Sequence, residues 1–172
     1  MRKNILRQLF NRILHMLARF LPGATTVRPF IHRLRGVQIH GSVFIGDDVY
    51  LENECPECVE IHDRAIIGIR SIVIAHTRGN GKIIIEPEAM IGAGCILACA
   101  KGKTLIIGRG AVVGAGSIVT RSIPEKTFCA GNQAKPICRA TVPLTLETSY
   151  EDFISGLRNL GDNEKSAVQP EN

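Results

Sequence analysis

Histidine has an unperturbed pKa of about 6.5, so it can accept and return a proton near neutral pH. This chain of 172 residues has five: His15, His32, His40, His62 and His76. His76 stands in SIVIAHTRGNGK, at the start of a polar, glycine-containing stretch. His40 and His62 each follow an isoleucine, and His15 and His32 lie in the N-terminal arm. Cysteine offers a second chemistry, at positions 55, 58, 95, 99, 129 and 138. Cys55-Pro56-Glu57-Cys58 has the spacing of a redox or zinc pair, but it is a lone C-x-x-C with no second pair and no βαβ context. A disulfide framework would call for a secretory signal. The N-terminal apolar stretch is broken by Arg7, Arg12 and Arg19, which suits neither a signal core nor a membrane span. The expectation is reduced thiols in a cytoplasmic protein, with Cys95 a packing residue.

The elements that position these groups announce themselves by period. From Ile39 onward an aliphatic residue recurs every six positions in groups of three: Ile39, Ile45, Leu51; Ile61, Ile67, Val73; Ile85, Ile91, Leu97; Ile107, Val113, Val119. Four to six extra residues enter after each third hexad. Four positions past the first two anchors of each group stands a small residue: Val43, Val49, Ala65, Ser71, Ala89, Cys95, Ala111 and Ser117. Glycine directly follows each second anchor, at positions 46, 68, 92 and 114. Repeats of this kind decide the fold. They predict a parallel β-helix of about four triangular coils, with strands of about five residues stacked at roughly 4.8 Å. Anchors point inward, and the glycines are expected to take corner dihedrals that side chains oppose. Stacking is obligatory and the ends need caps.

Composition agrees. Apolar residues make up 45% of the chain while aromatics are 5% and Trp is absent, which suits thin stacked layers better than a core built on large rings. Net charge is +5, but residues 1–46 hold eight bases and no acid, and the remaining chain carries 13 bases against 16 acids. No aromatic-interleaved basic patch or reading motif points to nucleic acid. Residues 3–21 place Ile5, Leu9, Ile13, Leu17 and Phe20 on one helical stripe, and Pro22-Gly23 ends the helix. Three roles compete for it: a docking helix on the protein's own body, a peripheral anchor at the inner face of an anionic membrane, or an organelle transit peptide. Residues 149–160 read as a short C-terminal helix and, like the N-terminal segment, as a candidate cap, and the polar tail after Gly161 reads as disordered. The chain divides into an arm (1–36), a β-helix (37–139) and a C-terminal helix with tail (140–172).

The stretch IIGRGAVVGAGSIVTRSIPEKTFCAGNQAKPI (106–137), above all VVGAGSIVT followed by AGNxAK, closely resembles the C-terminal coil of hexapeptide-repeat sugar O-acetyltransferases. These include the maltose, galactoside and xenobiotic acetyltransferases and enzymes of exopolysaccharide assembly. The resemblance runs from about residue 37 to 139. It implies an all-β, left-handed parallel β-helix, although parallel crossovers are otherwise right-handed. It also implies a homotrimer that binds acetyl-CoA, the acyl donor, in clefts between subunits. By the same resemblance His76 is the catalytic base. Ala93, Ala115, Thr120, Arg121 and Lys135 are the acetyl-CoA positions. The family's Trp near the cofactor thiol is Met90 here, and its usual Pro in the AGNxAK motif is Gln133.

Acyl transfer from a thioester to an alcohol needs a base for the hydroxyl proton and donors for the developing oxyanion. The repeat register places Asn53 and Glu54 one coil before His76, where either could orient the imidazole or bind the acceptor; Glu54 could equally be a solvated corner carboxylate. Outward-facing Ile66, Ile72 and Ile106 call for burial against neighbouring subunits. The expected function is transfer of acetyl to a hydroxyl of a sugar or glycan intermediate, with no metal. Two alternatives share the fold. A γ-class carbonic anhydrase-like metalloenzyme needs two histidines close together on one subunit, and His62 and His76 fall on different sides of the triangle. A non-catalytic scaffold would not need His76 beside a near-complete cofactor motif.

Overall fold

The computed structural model describes residues 5–77 and 81–161; for His76 and Thr77 it describes the backbone alone. Strands are short because the six-residue period leaves room for little more than an outward residue and an inward anchor before each corner. Side one stacks β1 (Gln38–Ile39), β4 (Val59–Ile61), β7 (Lys82–Ile85) and β10 (Thr104–Ile107). Side two stacks β2 (Phe44–Ile45), β5 (Ile66–Ile67), β8 (Met90–Ile91) and β11 (Val112–Val113), and continues into β13 (Thr127–Ala130), β14 (Lys135–Ala140) and β15 (Leu157–Arg158). Side three stacks β3 (Tyr50–Leu51), β6 (Ile72–Thr77), β9 (Ile96–Ala100) and β12 (Ile118–Val119). Coil-to-coil pairing is parallel and pairs anchor with anchor, as in Ile45↔Ile67, Ile67↔Ile91 and Val113↔Ile91. Many strands have only two residues, shorter than the five expected, since the corners take up the rest of each hexad.

The anchors form the core. All except Ile39, which packs against it, are at most 1% exposed, and every small-residue slot from Val43 to Ser117 is buried as well. The glycines after the second anchors have a different cause from the one expected. They do not adopt positive φ; a Cβ on Gly68 would lie 2.6 Å from Ala93 N, and one on Gly92 2.6 Å from Ala115 N. The next coil's backbone forbids the side chain there. The left-handed corner residue comes two positions later, at Asp48, Arg70, Gly94 and Gly116.

The N-terminal edge of the first coil is closed by a helix the sequence reading missed. α1 (Ile5–Phe20) is followed by α2 (Val27–Arg35), which ends on Gly36 in the left-handed conformation. Pro near the start and Gly just past the end were its readable signals. Each side of coil one offers unpaired carbonyls, and α2 supplies an arginine to each. Arg33 donates to Ile39 O and Gly41 O, Arg28 to Ile45 O, and Arg35 to Leu51 O and Glu52 O. Buried edge carbonyls left unpaired are costly, so three of the eight N-terminal bases do structural work as end caps.

At the other end, β14 turns back antiparallel on β13. α3 (Tyr150–Ser155), capped by Ser149 Oγ accepting from Asp152 N, packs on the flank and not on the open end. Its Phe153 packs with Val112, Phe128 and Leu144 over the outer surface of side two. Ile66 on that same side is buried within the chain, so it is not free for a neighbour as expected; Ile72 and Ile106 stay half-buried on the other two sides. The polar tail beyond Gly161 lies outside the described residues.

Candidate functional site

The triangular section gives three corner columns, and the positions singled out by sequence fall on two of them. The column after side two holds Ala93 and Ala115, each exposed and each followed by a left-handed glycine, Gly94 and Gly116. A Cβ on either glycine would meet nothing within 4 Å. This corner is an open shelf of backbone and methyl groups, with Gly116 N donating to Ala93 O at 2.8 Å. Such a surface suits an extended, largely apolar chain held by main-chain groups. The AGNxAK segment follows β13, with a cis peptide between Asn132 and Gln133 and Lys135 exposed at the start of β14.

The column after side three holds His76, Asn53, Glu54, Thr120 and Arg121. His76 occupies the end of β6, whose Thr77 pairs with Ala100 of β9; its side chain lies outside the described residues. Thr120 and Arg121 are exposed two coils further on. Asn53 and Glu54 sit in the corner just after β3, one coil before His76. Asn53 Oδ1 accepts from Arg35 at 3.3 Å, and Glu54 faces Arg12 at 3.9 Å. One chain therefore brings His76, Asn53, Glu54, Thr120 and Arg121 to one column, and leaves Ala93 and Ala115 on another, a full strand away.

Sequence reasoning missed Glu52. It follows an anchor, so strand alternation should turn it outward, yet it is 0% exposed. Its Oε2 accepts from Ala75 N at 2.8 Å, and its Oε1 from Glu54 N at 2.8 Å and Cys55 N at 3.4 Å. One buried carboxylate thus pins both the backbone leading into His76 and the corner bearing Asn53 and Glu54. The Arg35 guanidinium donates to the carbonyl of the same residue and packs against His32 Nδ1 at 2.8 Å. Burial lowers the Arg35 pKa to about 10, which leaves it charged at neutral pH. No sequence signal marked Glu52, because only the three-dimensional corner turns it inward.

One expectation is corrected. Cys55 and Cys58, expected as free thiols, form a disulfide, since the 3₁₀ turn Pro56–Cys58 brings their Cα atoms to 5.5 Å. Cys95, Cys99 and Cys129 are buried, and burial raises the thiol pKa of Cys129 to about 11 and moves that of Cys95 upward. That agrees with packing roles. His62 and His76 stand on different sides of the triangle, as expected. His40 and His62 occupy the same slot in successive coils and stack with ring centroids 4.8 Å apart. Their Nε2 atoms lie 3.4 and 3.1 Å from Glu60 Oε1. Two histidines on one chain do come together, on side one, and with Glu60 they could hold a metal. Lys82 Nζ already lies 2.7 Å from Glu60 Oε2 and, by that hydrogen bond, holds the carboxyl below its usual range. The shared 22-residue spacing of His40 and His62 was the readable signal.

A cleft of about 310 Å³ opens at the third corner column, between sides one and two, lined among others by Ser42, Asp63, Arg64 and Leu146. It is remote in the section from the His76 column.

No family model matches the chain. A tetrahydropyridine-dicarboxylate N-acetyltransferase of Staphylococcus aureus is 34% identical over 80 residues, 46% of this chain and 30% of that enzyme. YvoF of Bacillus subtilis strain 168, named as an acetyltransferase, is 31% identical over 115 residues, 64% of this chain and 62% of that protein. The chain thus spans less than two thirds of these relatives. Among solved structures, a galactoside acetyltransferase in complex with coenzyme A superposes with TM-score 0.59 at 18% identity, covering 78% of this chain and 81% of that one. A maltose O-acetyltransferase from Clostridium difficile 630 gives 0.55 at 19% identity, covering 78% and 87%. A hexapeptide-repeat acetyltransferase from Vibrio cholerae complexed with acetyl coenzyme A gives 0.58 at 15%, covering 84% and 89%. The resemblance to hexapeptide-repeat acetyltransferases read from the motifs therefore recurs in sequence relatives and in fold.

Proposed function

We propose that this chain is an acetyl-CoA-dependent O-acetyltransferase acting on a sugar or glycan hydroxyl, with His76 as general base. The observation that carries the reading is the Glu52 clamp. A fully buried carboxylate is expensive unless hydrogen-bonded, and here its bonds fix the two backbone segments that carry His76 and Asn53. The donor fits the other column. The shelf at Ala93–Gly94 and Ala115–Gly116 leaves room for a pantetheine arm against backbone groups, Lys135 offers an exposed cation for its phosphates, and Arg121 offers another from the His76 column of the adjoining chain.

In this reading the His76 imidazole takes the proton as the acceptor oxygen attacks the thioester carbonyl, the C–S bond breaks, and the proton goes to the leaving thiolate. Asn53, steadied by Arg35, binds the acceptor. Because the donor shelf and the His76 column belong to different corners, a complete site needs the shelf of one chain beside the His76 column of another. A homotrimer supplies that arrangement three times over.

The test is release of free thiol from acetyl-CoA by the full-length protein against a panel of acceptors. Sugars and glycans with free hydroxyls should support release, and the His76→Ala protein should not. The Staphylococcus relative acts on an amine by its name, so amino sugars and amino acids belong in the panel. Release with amines alone would replace the hydroxyl acceptor by an amine and leave the donor half standing.

A metal-dependent reading has the His40–Glu60–His62 group behind it. Metal analysis of the purified protein separates the two: stoichiometric zinc, with activity lost on chelation, would favour it over the His76 mechanism.

A further inference from the structure

The amphipathic helix α1 is docked the wrong way round for a self-packing helix. A surface helix normally turns its apolar stripe to the core. The face of α1 toward the β-helix carries Asn11, Leu14, His15 and Ala18, of which only His15 and Ala18 are buried, and Arg19 holds it down by an ion pair to Asp48, with Nε 2.7 Å from Oδ1. At 100° per residue, the apolar stripe lies on the opposite side. Leu6, Leu9, Phe10, Ile13, Met16 and Phe20 on that stripe are 49–74% exposed. α2 extends the surface with Phe30 at 58% and Leu34 at 54%. This is a contiguous outward apolar face on a cap that closes one end of the β-helix, far beyond the scattered apolar residues of an ordinary surface.

Charge selects the occupant. No acid occurs before Asp47, so nothing on the helical hairpin repels an anionic surface. Arg28, Arg33 and Arg35 serve the coil edge, whereas Arg12, exposed although it faces Glu54 at 3.9 Å, borders the apolar stripe, and Arg7 is exposed near the N-terminal end of the helix. Basic side chains beside an apolar stripe sit at headgroup level when a helix lies in a membrane interface. A second copy of the cap would instead set the same exposed bases against each other. No helix among the described residues is long and apolar enough to cross a membrane, so the helix would lie along the surface. We propose that the α1–α2 cap is a membrane-interface anchor for anionic phospholipid, which seats the N-terminal end of the β-helix on the bilayer. The proposal does not depend on the acetyl-transfer reading.

The test is co-sedimentation of the full chain with vesicles, comparing wild type with the double variant Leu9→Asp/Ile13→Asp. Both residues are about half exposed, so the variant should melt at the wild-type temperature; an equivalent pair, Phe10→Asp/Met16→Asp, serves if it does not. Wild type should sediment with phosphatidylglycerol vesicles at about 0.1 M salt, less with phosphatidylcholine vesicles, and less again at about 0.5 M salt. The variant should bind at least roughly 10-fold more weakly, since two apolar contacts are lost and two anionic charges gained. Wild type remaining in the supernatant with phosphatidylglycerol, or variant and wild type sedimenting alike, would overturn the proposal. So would light scattering without vesicles that shows wild type as a higher multiple of the variant's mass, because a second copy would then cover the face.

Discussion

The Oε2 atom of Glu52 accepts a hydrogen bond at 2.8 Å from the backbone amide of Ala75, the residue before His76. The bond joins consecutive coils at the column where chemistry is proposed. Glu52→Gln replaces one carboxylate oxygen by an N–H donor, which must face either the Ala75 amide or the Glu54 and Cys55 amides. Stability should fall by about 1–3 kcal/mol, the cost of a buried donor left unpaired. Acetyl transfer should drop while acetyl-CoA affinity stays unchanged, because the donor shelf lies on another corner. Equal losses in transfer and in affinity would show that Glu52 only supports the fold.

The cap should loosen in mild acid. Burial, then the nearby Arg35 charge, lowers the His15 pKa to about 4, and burial with Arg35 holds His32 well below its usual value. Both are neutral when folded and protonate near 6.5 when unfolded, so the unfolded chain binds more protons between those values. Stability is therefore fully present above about pH 6.5 and falls as pH drops toward 4. His15 alone should contribute a loss of about 2 kcal/mol by pH 5. Urea unfolding at a series of pH values measures it, and His15→Leu should flatten the curve.

Two neighbouring glycines should differ sharply. Gly92→Ala would put a Cβ 2.6 Å from Ala115 N, against backbone that cannot move without opening the coil stack, whereas Gly94→Ala meets open space and strains only φ, at +67°. The second should cost about 1–2 kcal/mol, and the first more. Thermal melting of the two variants ranks them.

Light scattering should return three times the 18.7 kDa chain mass. A mixture refolded from His76→Ala chains and Ala93→Arg/Ala115→Arg chains should regain activity that neither has alone, because some sites would pair two intact corners. A monomeric mass would contradict the shared site.

The fold was legible because its determinant is periodic: twelve anchors and eight small residues report the inward face directly. What escaped was whatever depends on corners and ends. Glu52 is turned inward by a corner, Cys55 and Cys58 are joined across one, and His40 meets His62 only once the coil length is counted. The three arginines of α2 looked like surplus charge until the coil-one carbonyls they serve were in place. The apolar stripe of α1 was read correctly as a stripe, but amphipathicity alone does not say which way a helix faces.

The central claim is that His76 removes the acceptor proton. The decisive measurement is acetyl transfer per folded oligomer for His76→Ala, taken beside acetyl-CoA affinity and melting temperature. Transfer should fall by roughly 10²–10⁴, the usual contribution of a positioned base, with affinity and melting temperature close to wild type. Transfer at the wild-type rate by a His76→Ala protein that still binds acetyl-CoA would contradict the mechanism.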